Sequence, residues 1–336
     1  MSEEEKKKRS SAPHRGEGEP ASDAILRLTN KCNQMCVFCC QEGREWGCDP
    51  SLDEIKEELR KARTMGAQNV TFMQGESTTR KDFVEILNAV RESGFENFGF
   101  ATNGTLLSDK EFLRAVLATG VKGMEFSIHS HIEEVANLIS GRPFTHRKQW
   151  QALRNFAELR TTQRIVFNIV VCRHNHGHIK ELIGELARVF PDGDFALNIK
   201  YPLIMGMVER ELDLLVPYDR LDLAPLLEFL TERKIEACFD NFPPCIVPGF
   251  EHRVIKTIDL VTSHKYLSRP VDGGEIEDAG TFTQGYKHVP ACKACSLKPI
   301  CAGVYAKYML AFGSAPVKPT DIPVEPIVRK VLTPCE

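Results

Sequence analysis

Short apolar runs alternate with helical patterns along most of the chain. Each run is five to eight residues long and rich in β-branched or aromatic side chains, which is typical of a buried strand. A chain that alternates strands and helices in this way is restricted to a mainly parallel sheet with helical crossovers. The six predicted strands are Ala24–Thr29, Asn69–Met73, Asn97–Ala101, Gly123–Ile128, Arg164–Val171 and Phe195–Tyr201.

Helix start and stop signals separate these runs at regular intervals. The segment Ser51–Glu54 has the form of a capping box, and Ser108–Glu111 repeats that signal. Gly66, Gly94 and Gly120 stand where helices are expected to end. These glycines are 28 and 26 residues apart, which is the length of one strand–helix unit.

The number of units limits the architecture. Six units end near Leu230, fewer than the eight of a closed barrel. A partial (β/α)6 TIM-like barrel and an open doubly wound sheet both fit this count. In either architecture we expect the active site at the carboxyl ends of the strands.

The regular pattern ends after Leu230, where proline, glycine and cysteine become frequent. We predict a barrel over residues 23–232 and a small metal-stapled, cysteine-rich domain over residues 233–314. The Pro-rich stretch 315–336 is expected to be an extended tail. Residues 1–22 are expected to be a disordered tail, since this Glu- and Lys-rich stretch lacks the apolar run of a signal peptide.

Composition excludes several classes of protein. Apolar residues make up 42% and charged residues 26% of the chain, a globular profile. A net charge of −3 gives no electrostatic case for binding nucleic acid or an anionic membrane. No apolar run approaches the roughly 18 residues of a spanning helix. We therefore expect a cytoplasmic protein, in which 12 cysteines indicate metal or redox chemistry rather than disulfides.

The first cysteine cluster follows the first predicted strand. Cys32, Cys36 and Cys39 form C-x3-C-x2-C, so three thiolates can converge on one metal centre. A structural zinc site takes four ligands, and a four-iron cluster also normally takes four thiolates. Cys40 or Cys48 is available as a fourth, so spacing alone leaves both readings open. A cluster held by only three thiolates keeps one iron open to an outside ligand.

The segment from Cys32 to Cys39 resembles the signature loop of radical S-adenosylmethionine (radical SAM) enzymes. Phe38, just before the third cysteine, fits the family position that lies near the adenine. The resemblance implies a [4Fe–4S] cluster whose open iron is chelated by S-adenosylmethionine. It further implies one-electron cleavage of the sulfonium to a 5′-deoxyadenosyl radical, which abstracts a hydrogen atom from the substrate. The protein supplies geometry and exclusion of water.

Further residues extend the resemblance strand by strand, from about Ala24 to Tyr201. Gln74, Gly75 and Glu76 follow the second strand, where the family usually has Gly-Gly-Glu, so Gln74 departs from the pattern. Its backbone is expected to do the same work, and the Glu76 carboxylate is expected to accept from the methionine ammonium. The resemblance implies cofactor contacts by Asn103, Ser127 and Asn168, and a substrate-facing acid or base at His129.

The second cysteine cluster is Cys292-x2-Cys295-x5-Cys301. This spacing resembles the SPASM and twitch extensions of the same family, which hold auxiliary four-iron clusters. A full SPASM pattern has another cysteine at the position of Tyr305, so we expect one auxiliary [4Fe–4S] cluster rather than two. As the fourth ligand we favour Cys245, in a Pro-rich turn, over Cys238, at the end of a strand-like run. Zinc remains the structural alternative. The other three proposed ligands are Cys292, Cys295 and Cys301.

With the resemblance included, the sequence predicts an α/β partial (β/α)6 barrel followed by a twitch-like cluster domain. The predicted function is radical SAM chemistry; a non-catalytic zinc-binding or electron-carrying protein is the competing class. Only some 22 residues precede the first strand, which favours a small-molecule substrate or a peptide delivered by a separate protein. The electron donor is expected to be a flavodoxin or a ferredoxin. The polar loop with His174, His176 and His178 is interpreted as metal-free.

Overall fold

The computed structural model of the chain describes residues 22–41, 48–269 and 275–333. Residues 1–21 of the predicted N-terminal tail and residues 334–336 of the predicted C-terminal tail lie outside these ranges. No helix within them is both long and apolar enough to cross a membrane.

Nine strands form one sheet, and all neighbouring pairs are parallel except the last, in which β9 runs antiparallel to β8. Their order across the sheet is β7-β6-β5-β4-β3-β2-β1-β8-β9. Two short strands, β10 and β11, pair separately and antiparallel. The strands are β1 Ser22–Leu26, β2 Ala67–Phe72, β3 Asn97–Thr102, β4 Gly123–Ser127, β5 Arg164–Val170, β6 Ala196–Lys200, β7 Ala237–Asp240, β8 Lys265–Ser268, β9 Glu277–Gly280, β10 Tyr286–Lys287 and β11 Val304–Tyr305.

Helices connect successive strands of the large sheet. In the described ranges they are α1 Leu52–Thr64, α2 Phe83–Glu92, α3 Lys110–Ala118, α4 Glu133–Ser140, α5 Thr145–Leu159, α6 Ile179–Val189, α7 Met207–Arg210, α8 Ala224–Arg233, α9 Ile255–Thr262, α10 Ala306–Phe312 and α11 Val324–Leu332.

Strand order decides between the two architectures that the sequence leaves open. A doubly wound sheet reverses direction at a switch point, whereas β1 to β7 lie side by side in chain order. Crossovers of one hand then place their helices on one face of the sheet. Buried side chains such as Phe72, Phe100 and Phe126 fill that face. The predicted partial barrel is confirmed, and alternate residues of each strand line its concave face.

The local signals at helix ends are largely confirmed. Ser51 and Glu54 form the predicted capping box, and Gly66, Gly94 and Gly120 all have positive φ. The second start signal differs by one residue. Asp109 caps α3, accepting from the amides of residues 111 and 112, because the Ser108 hydroxyl donates instead to the Thr105 carbonyl.

The sheet continues beyond the point where the sequence pattern ends the barrel. Strand β7 pairs with β6, and β8 returns to pair with β1, so that Lys265 lies opposite Ser22. An aromatic cluster then joins the barrel to the cysteine-rich region: Tyr218 stacks on Tyr308 at 4.1 Å, and Tyr201 packs edge-on against Phe242 at 5.6 Å between ring centroids. The cysteine-rich region is therefore packed against the barrel.

The Pro-rich end of the chain is not extended throughout, contrary to the sequence-based expectation. Residues 324–332 form α11, whose Ile327 is buried against Leu297 and Ile300. Val324, Ile327 and Val328 recur at helical spacing, so the apolar face of a short helix was present in the sequence. Pro326 lies within the first turn, where no intrahelical amide bond is lost. The helix covers the segment between Cys295 and Cys301.

Candidate active site

The three cysteines of the first cluster lie in a loop at the carboxyl end of β1, held in place by backbone hydrogen bonds. The amides of Met35 and Val37 donate to the carbonyls of Ser140 and Ile139, both at 2.9 Å. The Met207 amide donates to the Cys39 carbonyl at 3.0 Å. The loop is thus fixed between the end of α4 and the start of α7.

Two glycines permit the close approach of other loops to this one. Gly75 has φ +58, and a Cβ there would lie 2.3 Å from the Thr29 carbonyl oxygen. Gly206 also has φ +58, and its Cβ would lie 2.4 Å from the Cys39 carbonyl oxygen. A side chain at either position would push the cysteine loop away.

The thiols of this loop are close enough to influence one another. Burial, followed by the neighbouring Cys32 and Cys39, raises the pKa of the Cys36 thiol. Burial also raises the pKa of Cys32, partly offset by the Gln34 amide, which donates to its sulfur at 3.4 Å. Thiolates in this setting need a positive partner, which a bound metal centre supplies. The donor set therefore fits an iron–sulfur cluster.

Glu76 is the buried carboxylate of the site, with 1% of its surface exposed. Its Oε1 accepts from the Thr78 amide at 3.3 Å, the Thr78 hydroxyl at 2.5 Å and the Thr102 hydroxyl at 2.8 Å. Its Oε2 accepts from the Asn103 amide at 2.6 Å. Burial nevertheless raises the pKa of Glu76. Each carboxylate oxygen has about two acceptor positions, and Oε2 has a single donor, so Oε2 keeps room for one further donor.

Asn103 connects this carboxylate to the cysteine loop. Its side-chain amide donates to Asn33 Oδ1 at 2.7 Å and lies 3.8 Å from the Cys32 sulfur. Its Oδ1 accepts from the Thr105 amide and hydroxyl at 3.0 and 2.7 Å. The carboxylate and the first cysteine are therefore linked through one residue at the end of β3.

Gln74, which replaces the glycine usual in this family, adopts φ +72, a region that glycine favours. The carboxylate network is complete with Gln74 in place, since the Glu76 amide still donates to the Lys31 carbonyl at 2.8 Å. The Gln74 side chain is half-buried beside this loop. The backbone thus keeps the turn at the cost of some conformational strain.

Polar side chains form a row across the concave face. Ser127, Asn168, Asn198 and Cys238 are direct neighbours on β4 to β7. Asn168 donates to Glu125 Oε2 at 2.9 Å, while Asn168 Oδ1 is buried without a partner, as is Asn198 Oδ1. Buried acceptors without partners are rare and require explanation. Here they fit a bound ligand that presents hydrogen-bond donors.

His129 follows β4 and lies against the cysteine loop. Its ring meets Phe38 edge-on at 4.8 Å, and its Nδ1 accepts from the Val170 amide at 3.2 Å. Burial lowers the pKa of His129 to about 3. The ring is therefore neutral near pH 7, and its proton is on Nε2, the nitrogen that remains to donate.

The remaining histidines after β4 and β5 form a separate group. The Ser130 hydroxyl is 3.1 Å from His178 Nε2, and the rings of His131 and His178 are 5.6 Å apart. His174 and His176 lie in the same loop. In the parts of the chain that the structure describes, no three His, Cys, Asp or Glu side chains are placed to hold a single metal ion.

The second set of cysteines comes together around one cavity. Its walls are mainly apolar, with Pro243, Leu297 and Val317 among them, and the empty space within it and at its mouth is about 310 Å³. Burial, followed by the nearby thiols, raises the pKa of Cys301 to about 12. Cys238, by contrast, lies on β7 beside Asn198. The cysteines that line the cavity are Cys245, Cys292, Cys295 and Cys301.

Gln149 was not predicted from the sequence, although it hydrogen-bonds the backbone at the ends of β3 and β4. Its side chain is buried and donates to the carbonyls of Asn103 and Ser127, both at 2.9 Å. Gln149 lies on the same helical face as Leu153 and Phe156. A polar residue at an otherwise apolar helix position was the available signal. Its role is to hold the ends of β3 and β4 in register.

Comparisons with known proteins agree with this geometry. Residues 26–186 match the family model of the Radical SAM superfamily. A probable GTP 3′,8-cyclase of Saccharolobus solfataricus is 32% identical over 125 residues, covering 37% of this chain and 40% of that protein. One of Thermococcus kodakarensis is 31% identical over 126 residues, with the same coverage. The chain thus matches less than half the length of these curated relatives.

Solved structures extend the likeness over most of the fold. Streptococcus suis SuiB bound to S-adenosylmethionine superposes with a TM-score of 0.61 at 15% identity, covering 90% of this chain and 76% of that one. Histidine-tagged anSMEcpe with bound AdoMet gives a TM-score of 0.58 at 16% identity, covering 84% and 85%. At such identities the likeness concerns the fold. The match over residues 26–186 identifies this part of the chain as a Radical SAM domain.

Proposed function

We propose that the chain cleaves S-adenosylmethionine reductively and uses the resulting radical on a substrate. In this proposal Cys32, Cys36 and Cys39 hold a [4Fe–4S] cluster with one open iron. When bound, cluster and S-adenosylmethionine together supply a 5′-deoxyadenosyl radical that abstracts a substrate hydrogen atom. The observation that carries the proposal is the link from the buried Glu76 carboxylate through Asn103 to Cys32.

The residues around the loop suit the separate parts of S-adenosylmethionine. The remaining acceptor position of Glu76 Oε2 suits the methionine ammonium, at a carboxylate already fixed by four donors. Asn168 Oδ1 and the Ser127 hydroxyl suit the ribose. Phe38 offers a ring to the adenine, held edge-on by His129. The turn at Gln74 and Gly75 keeps the end of β2, and with it Glu76, close to the start of the cysteine loop.

His129 is proposed to donate a hydrogen bond rather than to act as a base. Because Nδ1 already accepts from the Val170 amide, the Nε2–H group is the one left for a ligand. The lowered pKa keeps the ring neutral.

The second set of cysteines is proposed to hold one auxiliary [4Fe–4S] cluster. Four thiols around one cavity, Cys245 included, match the four ligands of a closed cluster. Zinc takes the same ligands, so metal analysis has to separate the two. About eight irons per chain after anaerobic reconstitution supports two clusters; about four irons with zinc in addition assigns zinc to this cavity.

The substrate is proposed to be a peptide or a small molecule other than a nucleoside triphosphate. The relatives named GTP 3′,8-cyclase suggest GTP, but the concave face is lined by carboxylates and amides. Two cations at this face, Lys200 and Lys256, lie 4.0 and 3.6 Å from oxygens of Asp240. SuiB has been solved with its precursor peptide SuiA, and anSMEcpe with the peptide Kp18Cys. An interior rich in acceptors favours a donor-rich substrate such as a peptide.

The test is whether the reduced protein forms 5′-deoxyadenosine from S-adenosylmethionine. Formation without added substrate is expected, and addition of GTP is expected to leave its rate unchanged. A non-catalytic iron–sulfur or zinc protein, the competing function, forms none. A severalfold stimulation by GTP would instead assign the cyclase substrate to this chain.

A further inference from the structure

The cysteine loop presents an apolar side chain to solvent. Met35 lies directly before Cys36, and 61% of its surface is exposed. Its backbone is fixed, since its amide donates to the Ser140 carbonyl. An exposed apolar residue on a fixed backbone, one residue from a proposed cluster ligand, lies where a partner could approach the cluster closely.

The turn between α4 and α5 adjoins this loop and exposes two further apolar side chains. The Arg142 Nε donates to the Asn33 carbonyl at 3.1 Å, which ties the turn to the loop. Leu138, near the end of α4, and Phe144, at the start of α5, are each 53% exposed. We call Met35, Leu138 and Phe144, with the turn between them, the loop-side face.

Phe144 is unusual in its backbone as well as in its exposure. It adopts φ +71, which a bulky residue rarely does. Glycine or asparagine would relieve that strain and remove an exposed ring. The ring contacts the Arg147 guanidinium on one side, and about half of the Phe144 surface stays open to solvent, which is the pattern of a contact residue.

The charge of the loop-side face is positive. The segment 141–148 contains Arg142, Arg147 and Lys148 and no acidic residue, in a chain whose net charge is −3. The Arg147 guanidinium covers the Phe144 ring at 5.4 Å. Glu133, 3.9 Å from Arg147, and the exposed Glu134, one turn before Leu138, offset part of this charge. A small apolar centre with a basic rim fits an acidic protein partner.

We infer that the loop-side face is the docking site of an acidic protein that donates single electrons to the first cluster. The inference rests on the proposed function, because only a chain that cleaves S-adenosylmethionine reductively consumes electrons at this loop. Interfaces of this kind are small, often under about 1,200 Å², and depend on charge steering. One electron passes from the reduced donor to the cluster, so the donor is oxidised as the cluster is reduced.

Binding is measured first, with an acidic plant-type ferredoxin as the probe and without S-adenosylmethionine. Titration calorimetry of the reconstituted protein at low salt is expected to give weaker binding for Arg147→Glu/Lys148→Glu, by about tenfold. Phe144→Asn, which keeps the turn favourable, is expected to weaken binding at least threefold. Lys180→Glu/Arg188→Glu on α6 is the matched control, with the same change in net charge on exposed residues elsewhere. It is expected to change binding less than twofold.

Rates of 5′-deoxyadenosine formation then separate docking from chemistry. With dithionite, a small reductant, all variants are expected to match the wild type. With reduced ferredoxin, the loop-side variants are expected to be slower by the same factors, and high salt is expected to shrink the difference. If dithionite supports no cleavage in the wild type, the proposed function fails and this inference with it. If dithionite supports cleavage but the loop-side variants bind and accept electrons from ferredoxin like the control, the inference alone is wrong.

Sedimentation of the same variants distinguishes a second copy of the chain as the occupant. A wild-type dimer that Phe144→Asn converts to a monomer would reassign the loop-side face to self-association and overturn the inference. The expected result is the same sedimentation coefficient for all variants.

Discussion

At the scale of single residues, Glu76 is buried in a hydrogen-bond network and is also the proposed partner of the methionine ammonium. Four donors fix its carboxylate, and one acceptor position on Oε2 remains. A carboxylate so constrained is pre-organised for an ammonium. Both carboxylate oxygens of Glu76 accept hydrogen bonds, so the NH2 group of a glutamine at this position would replace one acceptor and face a donor.

We predict that Glu76→Gln weakens binding of S-adenosylmethionine by roughly tenfold. The substitution is also expected to lower the free energy of unfolding by about 1–3 kcal/mol, because the buried NH2 group of the glutamine would face one of the donors that now bind the carboxylate. The first cluster is expected to stay. Glu251→Gln is the control, since Glu251 is also buried and accepts from the Gly249 amide at 3.0 Å. Equal affinities for Glu76→Gln and the wild type in anaerobic titrations would reduce Glu76 to a turn residue.

His129 gives a prediction about pH. Its pKa in the folded chain is about 3, below the value of about 6.5 in an unfolded chain. The unfolded chain therefore binds the extra proton first, and stability is lost as the pH falls from about 6.5 toward 3. From pH 7.5 to 5.5 the loss is about 1.4 kcal/mol. His129→Asn keeps an acceptor for the Val170 amide and does not titrate, so the unfolding free energy of this variant should fall less over the same pH range. An equal fall in the unfolding free energies of the variant and the wild type would contradict a neutral His129 ring.

Cys245 and Cys238 provide a paired test of the second site. Cys245 lines the cavity with the three later cysteines, and Cys238 does not. Cys245→Ser is expected to remove about four irons per chain, while Cys238→Ser is expected to keep them. The reverse result, read by iron and sulfide analysis, would exchange the two assignments. Cys245 was favoured from its Pro-rich turn, a local signal, whereas its distance from the other cysteines depends on the tertiary fold.

At the scale of elements, the cysteine loop is positioned by close backbone contacts. We predict that Gly206→Ala loses iron from the first cluster, because the new Cβ would lie 2.4 Å from the Cys39 carbonyl oxygen. Gly249→Ala is the control, since Gly249 has φ +86 but nothing within 4 Å of its Cβ position. The control should cost about 1 kcal/mol in stability and keep its iron. Full iron content in Gly206→Ala would show that the loop is not held this way.

Elements with strong local signals were predictable from the sequence, and those set by distant pairing were not. The six strand–helix units carry glycine stops and the Ser51 capping box, and these act within a few residues. Strand β8 has no comparable signal, because it is stabilised by β1, more than 200 residues earlier. The link from Asn103 to Asn33 and Cys32 likewise exists only in the folded chain.

At the scale of the whole molecule, the parallel strands β1 to β7, in chain order, have their carboxyl ends at one rim. The loops after β1, β2 and β3 meet there as the cysteine loop, Glu76 and Asn103. The second set of cysteines belongs to a different part of the chain, joined to the barrel by the Tyr201, Tyr218 and Tyr308 cluster. The two sets share no cysteine, so we expect that either proposed cluster can be removed while the other stays.

The most direct test of the account is 5′-deoxyadenosine formation by the reduced protein and by a variant with Cys32, Cys36 and Cys39 all replaced by alanine. The wild type is expected to convert S-adenosylmethionine to 5′-deoxyadenosine. The variant is expected to form none, while it retains about four irons per chain at the second site. Formation of 5′-deoxyadenosine by the variant would contradict the assignment of the radical cluster to these three cysteines.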